Sequence, residues 1–287
     1  MTIIYEKLLN LSIPESEQSY TWKDSILCAL GLGLGIDPRS AEELAFVYEG
    51  GQKVLPTQVV VLAHPGFWIR DLDAGIDWVR LVAGEFDLAL HRSLPPSGTV
   101  TGRSKVVEVY DKGPGRGAVV QSQRILIDKA SGEDIATIRQ STFCRGDGGF
   151  GGPPRQQPKP HQMPDRAPDL VCELPTSTQG ALIYRLSGDL NPLHADPSVA
   201  IKAGFPKPIL HGLATLGVAG HALLKTLCNY QPERFRRIGA RFTVPVFPGE
   251  TFRTEIWRGD GGVASFQVRC VNRDVVAVGN GRFEYDT

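Results

Sequence analysis

The 287-residue chain is long enough for one large domain or two medium ones, and its 41 % apolar composition can supply a packed core. Because 31 Lys and Arg residues balance 31 Asp and Glu residues, the sequence argues against nucleic-acid binding, which requires a basic surface. The five cysteines form no CxxC pair, which favours a reduced, cytoplasmic protein without a disulfide framework or zinc knuckle. The longest apolar stretch, 209–224, contains two histidines and is too short for a membrane span.

The first half of the chain predicts a short helix, an apolar central segment and several strands. The helix is expected at 22–30 and the central segment at 54–63, where Pro65 and Gly66 interrupt it. Alternating apolar and polar residues predict four strands, at 85–93, 99–110, 117–128 and 134–144.

A segment rich in proline and glycine follows at 146–169 and cannot form an ordinary helix or strand. We take it as a linker between an N-terminal repeat (1–145) and a C-terminal repeat (170–287). The alternative is a long surface loop within a single domain.

The second half repeats the order of the first. A short helix is predicted at 179–187 and a long, largely apolar and therefore buried helix at 209–227. Strands are predicted at 240–246, 251–258, 264–271 and 275–283. Each half therefore reads as one helix wrapped by an antiparallel sheet, and two such halves would pair as a pseudo-dimer of α+β class.

The run YRLSGDLNPLH at 184–194 holds the chemistry-bearing residues. Pro192 keeps Asn191 out of helical dihedrals, so a turn can bring Asp189 and His194 to one point. On residue types alone the segment could also be only a polar turn.

This run, continued to Phe205 and followed by PILHGLATLG (208–217), resembles the active-site segment of the MaoC-like (R)-specific enoyl-CoA hydratases, or hydratase 2. Three further segments, 21–33, 145–152 and 240–252, also resemble two-domain members of that family. The resemblance implies a double hot-dog fold and syn hydration of trans-2-enoyl-CoA to (3R)-3-hydroxyacyl-CoA in fatty acyl-CoA metabolism such as β-oxidation. It also implies that the enzyme uses no metal or other cofactor and forms a homodimer.

By this resemblance, Asp189 and His194 jointly hold and activate the water, and Asn191 orients them. The first-turn amides of a helix lack internal partners, so the HG pair that opens the long helix can receive a thioester oxygen. Gly212 is therefore the expected oxyanion donor through its backbone N–H, and His211 is expected to bind substrate or to be a structural residue at the helix start.

The first half is expected to be catalytically silent. Aligning Gly31 with Gly188 places Leu32 where Asp189 stands. Because its central segment is also shorter, we hypothesise that it leaves a channel for a long or bulky acyl chain. The candidate lining residues are Val59, Val61, Leu62, Phe67 and Trp68.

The phosphates of coenzyme A require cations, and one basic cluster stands out. It comprises Arg234, Arg236, Arg237 and Arg241. The alternative for this cluster is a solvated face. His221 is expected to be a core histidine, while His64, His91 and His161 show no metal-ligand spacing.

Three other functions remain open. The same residues would serve a 3-hydroxyacyl-thioester dehydratase acting on acyl carrier protein, since hydration is reversible. A hot-dog thioesterase normally carries its carboxylate elsewhere. A noncatalytic acyl-CoA binding subunit would be expected to lack Asp189 or His194, and both are present.

Overall fold

A computed structural model describes residues 2–287 of the chain. The strands of this part are β1 (Ser16–Tyr20), β2 (Leu81–Leu90), β3 (Gly98–Asp111), β4 (Ala118–Asp128), β5 (Asp134–Cys144), β6 (Leu170–Pro175), β7 (Phe235–Phe242), β8 (Thr251–Arg258), β9 (Val263–Cys270) and β10 (Val275–Tyr285). The α-helices are α1 (Tyr5–Leu9), α2 (Trp22–Gly31), α3 (Ala41–Val47), α4 (Trp68–Asp71), α5 (Gly180–Tyr184), α6 (Pro197–Lys202) and α7 (Gly212–Leu227).

All ten strands join in one antiparallel sheet, in the order β1-β3-β4-β5-β2-β7-β10-β9-β8-β6. Each half has the same strand order when it is read from its outer edge. The first strand of the half in sequence lies at the edge, and its third, fourth, fifth and second strands follow. The halves meet where β2 pairs with β7, with Leu88 opposite Ile238. This internal symmetry confirms the predicted α+β double hot-dog architecture.

Helix α7 is the buried centre of the molecule, as its apolar composition predicted. Most of its residues are buried, because small side chains let neighbouring elements approach closely. A Cβ at Gly217 would lie 2.6 Å from Leu32, and one at Gly220 would lie 2.7 Å from Thr57. The helix begins at Gly212 rather than at 209, and positive φ angles at Asn229 and Tyr230 turn the chain away after its end.

The central segment of the first half contains no counterpart of α7. It forms a 3-10 turn at Pro56–Val60, and the four-residue helix α4 follows after Pro65. The 3-10 turn packs against α7, so a single long helix serves the core of both halves.

The predicted strand at 240–246 was wrong, because the strand is β7 at Phe235–Phe242. The arginines of this stretch resemble a charged loop in sequence, but Phe235 and Ile238 lie in the core while Arg237 and Arg241 point to the opposite face. Pro245 lies in the turn that follows the strand. Edge strands β1 and β6 were not predicted, since both are short and β1 is mostly polar.

The segment 146–169 contains neither helix nor strand. Its first part lies against the first half, where the Gly149 amide donates to Asp111, and its later part lies against the second half. The His161 ring is 2.7 Å from the Ser265 hydroxyl, and Asn280 Nδ2 donates to the His161 carbonyl. Within residues 2–287, none of the helices has the length and apolar character needed to cross a bilayer.

Candidate active site

The loop at 188–194 turns sharply at Gly188, which has φ +143°. Residues with a side chain rarely adopt this conformation. A Cβ at this position would also lie 3.1 Å from the carbonyl oxygen of Val61, in the other half of the chain. Glycine therefore lets the loop lie directly on the central segment of the first half.

Two short-range hydrogen bonds shape this loop. Asp189 Oδ1 accepts from the Asn191 amide at 3.2 Å, and Asn191 Oδ1 accepts from the Leu193 amide at 3.0 Å. Pro192 is the first residue of the 3-10 turn Pro192–His194, where its missing N–H costs nothing. Asn191 was expected to orient Asp189 and His194. Its hydrogen bond is to the backbone, so it caps the turn that presents the His194 ring.

His194 is buried, and its ring is fixed by one backbone contact. The Nδ1 atom lies 2.9 Å from the carbonyl oxygen of Ile209, so this nitrogen carries the proton in the neutral ring. The Nε2 lone pair is then free to accept a proton. Burial lowers the pKa of His194, while the Ile209 carbonyl and the Asp189 charge oppose this shift. His194 is therefore neutral at neutral pH.

His211 stacks on His194, with ring centroids 3.7 Å apart and ring planes 25° from parallel. Its Nε2 lies 3.1 Å from the Asp189 carbonyl oxygen, while its Nδ1 is buried without a hydrogen-bond partner in the described part of the chain. Burial, aided by the adjacent His194, lowers the pKa of His211 to about 4. His211 was predicted at the helix start, and it is the N-cap residue of α7. The structure also shows that it contacts both Asp189 and His194.

One side-chain atom each from Asp189, His194 and His211 lie within 4.8 Å of one another. Distances alone would allow this trio to hold a metal ion. However, lone pairs of imidazoles lie in their ring planes, and two nearly parallel stacked rings do not direct their lone pairs to a point about 2.1 Å from each nitrogen. The arrangement fits a hydrogen-bonded water better than a metal ion, and the predicted absence of a metal stays a prediction.

The first residue of α7 is Gly212, which places its amide beside this trio. An amide at this position has no acceptor inside the helix, and the helix dipole favours negative charge there. A Cβ at Gly212 would make only ordinary contact with the Phe242 ring, at 3.5 Å. Packing alone therefore does not require glycine at position 212. Access of a thioester oxygen to the amide is a separate reason for glycine there.

The four arginines proposed for the coenzyme A phosphates all have partners within the protein. Arg237 pairs with Asp87 at 2.9 Å and Arg241 with Glu85 at 2.5 Å.

The other two, Arg234 and Arg236, both bind Asp286, through its carbonyl and its carboxylate respectively. Along β7, Ile238 and Ala240 lie in the core around α7, so the side chains of the flanking Arg237 and Arg241 point to the other face. This placement does not support phosphate binding by Arg237 and Arg241 at the site beside α7.

The predicted acyl-channel residues occupy three different environments. Val61 and Leu62 lie in the main core, as does Val59, and Phe67 lies at the surface with its ring edge-on to Trp78. Only Trp68 lines a cavity next to the site. This cavity of about 40 Å³ is also lined by Leu213, the residue after Gly212. The channel itself stays a prediction.

Two residues that line this cavity were not predicted from the sequence as site residues. His64 had been noted only for its lack of metal-ligand spacing, and Arg124 had attracted no attention. Both line the cavity, although they come from the first half and belong to no motif.

Comparison with known families matches both halves of the chain separately. Residues 18–146 match the family described as "MFE-2 hydratase 2 N-terminal domain", and residues 159–280 match the "MaoC like domain" family. Together these matches cover most of the sheet in both halves and the entire trio at the start of α7.

Whole-length relatives agree with these matches. A Dictyostelium discoideum protein named "Probable enoyl-CoA hydratase 2" is 41% identical over 284 residues, which cover 96% of this chain and 93% of that protein. A Mycobacterium tuberculosis protein named "3-hydroxyacyl-thioester dehydratase Y" is 40% identical over 275 residues, or 93% of each chain. The crystal structure of a MaoC-like dehydratase from Phytophthora capsici has a TM-score of 0.87 and 35% identity, with 98% of each chain covered. The chain therefore belongs to the MaoC-like enoyl-CoA hydratase 2 family, in its two-domain, double hot-dog form.

Proposed function

We propose that the protein is a hydro-lyase that adds water to trans-2-enoyl-CoA, giving (3R)-3-hydroxyacyl-CoA, with one active site per chain. The observation that carries this proposal is the convergence of the Asp189 carboxylate and the His194 ring beside the Gly212 amide. Hydration of an enoyl thioester requires a group that accepts a proton, a group that delivers one and a donor for the enolate oxygen. These residues supply all three.

The proposed reaction begins with a water held between the Asp189 carboxylate and His194 Nε2. The Gly212 amide donates to the thioester oxygen, which withdraws electrons and makes Cβ electrophilic. The water oxygen bonds to Cβ while its proton passes to the Asp189–His194 pair. The pair then returns a proton to Cα as the enolate collapses, so one water supplies both added groups and the enzyme ends unchanged.

The state of His194 suits this role. The Nδ1 contact with Ile209 keeps Nε2 as the acceptor, and burial keeps the ring neutral until it takes the proton. The stacked His211 covers one face of the ring and holds the Asp189 backbone through Nε2. We therefore assign His211 a positioning role.

The reverse reaction on a carrier protein is the second candidate, since a relative at 40% identity is named a 3-hydroxyacyl-thioester dehydratase. The same atoms would then remove water from the 3-hydroxyacyl group. A thioesterase or a noncatalytic binding subunit would leave this arrangement of carboxylate, imidazole and amide without a use.

We also propose a cytoplasmic homodimer. All five cysteines are free and buried, which suits a reducing compartment. Exposed apolar side chains near the catalytic loop, including Leu186, Leu190 and Ile201, would be covered by association. Light scattering on the purified protein would test the dimer, and a mass of 31.2 kDa would contradict it.

The direct test follows the absorbance of the conjugated thioester with crotonyl-CoA and trans-2-decenoyl-CoA, together with chiral analysis of the product. Loss of absorbance with formation of the (3R) product supports the proposal. Release of free coenzyme A thiol instead would show a thioesterase. Conversion only when the acyl group is carried on acyl carrier protein would favour the second candidate.

A further inference from the structure

The cavity between the first-half sheet and the start of α7 has two different walls. The wall formed by segments outside the sheet is largely apolar and includes Pro65, Trp68 and Leu213. The sheet forms the polar wall, which carries the inward side chains of Ser104, Ser122, Arg124 and Gln140 beside the apolar Ile138 and Phe86. An alkyl chain alone would leave this polar wall without hydrogen-bond partners, at a cost for each buried group.

Arg124 is the central residue of the polar wall and is only 6% exposed. Its Nη2 donates to the Val60 carbonyl at 2.6 Å, whereas its Nε is buried without a partner among residues 2–287. Across the strands, Ser104 lies opposite Arg124, and its hydroxyl is likewise buried without a partner in the described part of the chain. Two orphaned polar groups therefore lie side by side in one small space.

No carboxylate within residues 2–287 forms an ion pair with Arg124. Burial lowers the pKa of its guanidinium to about 10, so the group still carries its charge at neutral pH. A buried charge without a counter-charge is strongly unfavourable in a protein, and such groups are ordinarily paired. A guanidinium with free donors matches the planar oxygens of a carboxylate.

The cavity also lies close to the proposed active site. Leu213 lies next to the proposed oxyanion donor, and His64 lines the cavity on the side of the first half. Burial lowers the pKa of His64 to about 4; the charge of Arg124 acts in the same direction, and that of Asp189 opposes it. His64 therefore lies close to both charged groups, and the cavity that it shares with Arg124 lies beside the proposed active site.

We infer that the enzyme takes enoyl-CoA substrates whose acyl chain ends in a carboxylate, and that Arg124 binds this carboxylate in the cavity. The inference rests on the proposed hydration and adds the class of acyl group. A space of about 40 Å³ suits a small polar group rather than a long alkyl tail. The Ser104 hydroxyl, as a neighbouring donor, would share the carboxylate oxygens.

The test compares trans-2-enoyl-CoA substrates of six, eight and ten carbons that end in a carboxylate with those of equal length that end in a methyl group. For the wild type, we expect kcat/KM at the best length to be about 10-fold to 100-fold higher with the carboxylate, the range typical of a hydrogen bond to a charged group. Arg124→Met should abolish this preference, and Arg124→Lys should restore part of it. Arg139→Met, at an exposed arginine on β5, is the matched control and should keep the wild-type ratio.

The ratio of the two substrates is measured within each variant, so a partly unfolded preparation does not change it. Equal kcat/KM for both chain ends in the wild type, with methyl-ended substrates hydrated normally, would overturn the inference and leave the hydratase intact. A preference that persists in Arg124→Met would also overturn it. Failure to hydrate any of these substrates would overturn the proposed function and the inference with it.

Discussion

His194 and His211 stack face to face with their ring centroids 3.7 Å apart, and each ring uses one nitrogen to contact a backbone carbonyl. Two imidazolium ions would repel each other strongly at this distance. Burial further favours the neutral form of both rings. The pair therefore remains uncharged under conditions in which a free histidine would be partly protonated.

This arrangement predicts the pH dependence of the enzyme. Activity requires neutral His194, and burial lowers its pKa below the ordinary 6.5. The rate should therefore fall as the pH decreases, with the midpoint of this acid limb below pH 6.5. Profiles of kcat/KM with crotonyl-CoA would show this acid limb. In His211→Gln, water reaches the exposed ring face, so the limb should move up toward 6.5; a wild-type limb above 6.5 would contradict this account.

Asp189→Asn should reduce kcat by about 10²-fold to 10⁴-fold, the usual contribution of a positioned acid–base group. Asparagine retains the size of the side chain and can still accept from the Asn191 amide, so the loop should keep its shape. Asp196→Asn is the matched control seven residues later. Asp196 caps α6 by accepting from the Ser198 amide, which asparagine also does well. Its kcat should stay at the wild-type value, and an equal loss in both variants would point to a structural effect on the loop.

The sequence located Asp189 and His194 because their spacing is a local property. They are five positions apart with one proline between them, which predicts the turn that joins them. The HG pair is likewise a local signal, which marks the start of α7. The stack of His211 on His194 could not be predicted, since it depends on how the loop folds back over the helix start. The contribution of the first half was missed for the same reason: Arg124 reaches the cavity only through its position in the sheet.

The fold could be predicted in outline because the two halves repeat the same order of helices and strands. Strand limits were less reliable where charge masked the alternation of apolar residues. In β7, Arg236 and Arg237 made the start of the strand resemble a charged loop. The apolar residues that face the core there are Phe235 and Ile238. Short edge strands bury few side chains and therefore leave little pattern to read.

Arg237→Gln and Arg241→Gln should leave KM for crotonyl-CoA unchanged. Both guanidiniums pair with carboxylates, Asp87 and Glu85, on the face of β7 that points away from α7. These ion pairs are partly exposed, so each variant should lose at most about 1 kcal/mol of unfolding free energy. Asp87→Asn breaks the first pair from its other side and should behave like Arg237→Gln. A large increase in KM for the arginine variants alone would return these residues to the coenzyme A site.

Gly212→Ala and Gly217→Ala should separate catalysis from packing within one helix. At Gly212 an added Cβ makes only ordinary contact with Phe242, so the variant should fold with near-normal stability. The methyl group would nevertheless keep the thioester oxygen from the amide, and loss of an oxyanion donor typically costs about 10²-fold to 10³-fold in kcat.

At Gly217 an added Cβ would lie 2.6 Å from the buried Leu32 side chain, and overpacking of this kind costs about 1–3 kcal/mol of unfolding free energy. Its kcat per folded molecule should remain normal, because the methyl group lies more than one helical turn from the amide end. Urea unfolding and steady-state kinetics on both variants decide the matter. If Gly212→Ala retained full kcat, the first amide of α7 would not be the oxyanion donor, and the thioester oxygen would have to bind elsewhere in the site.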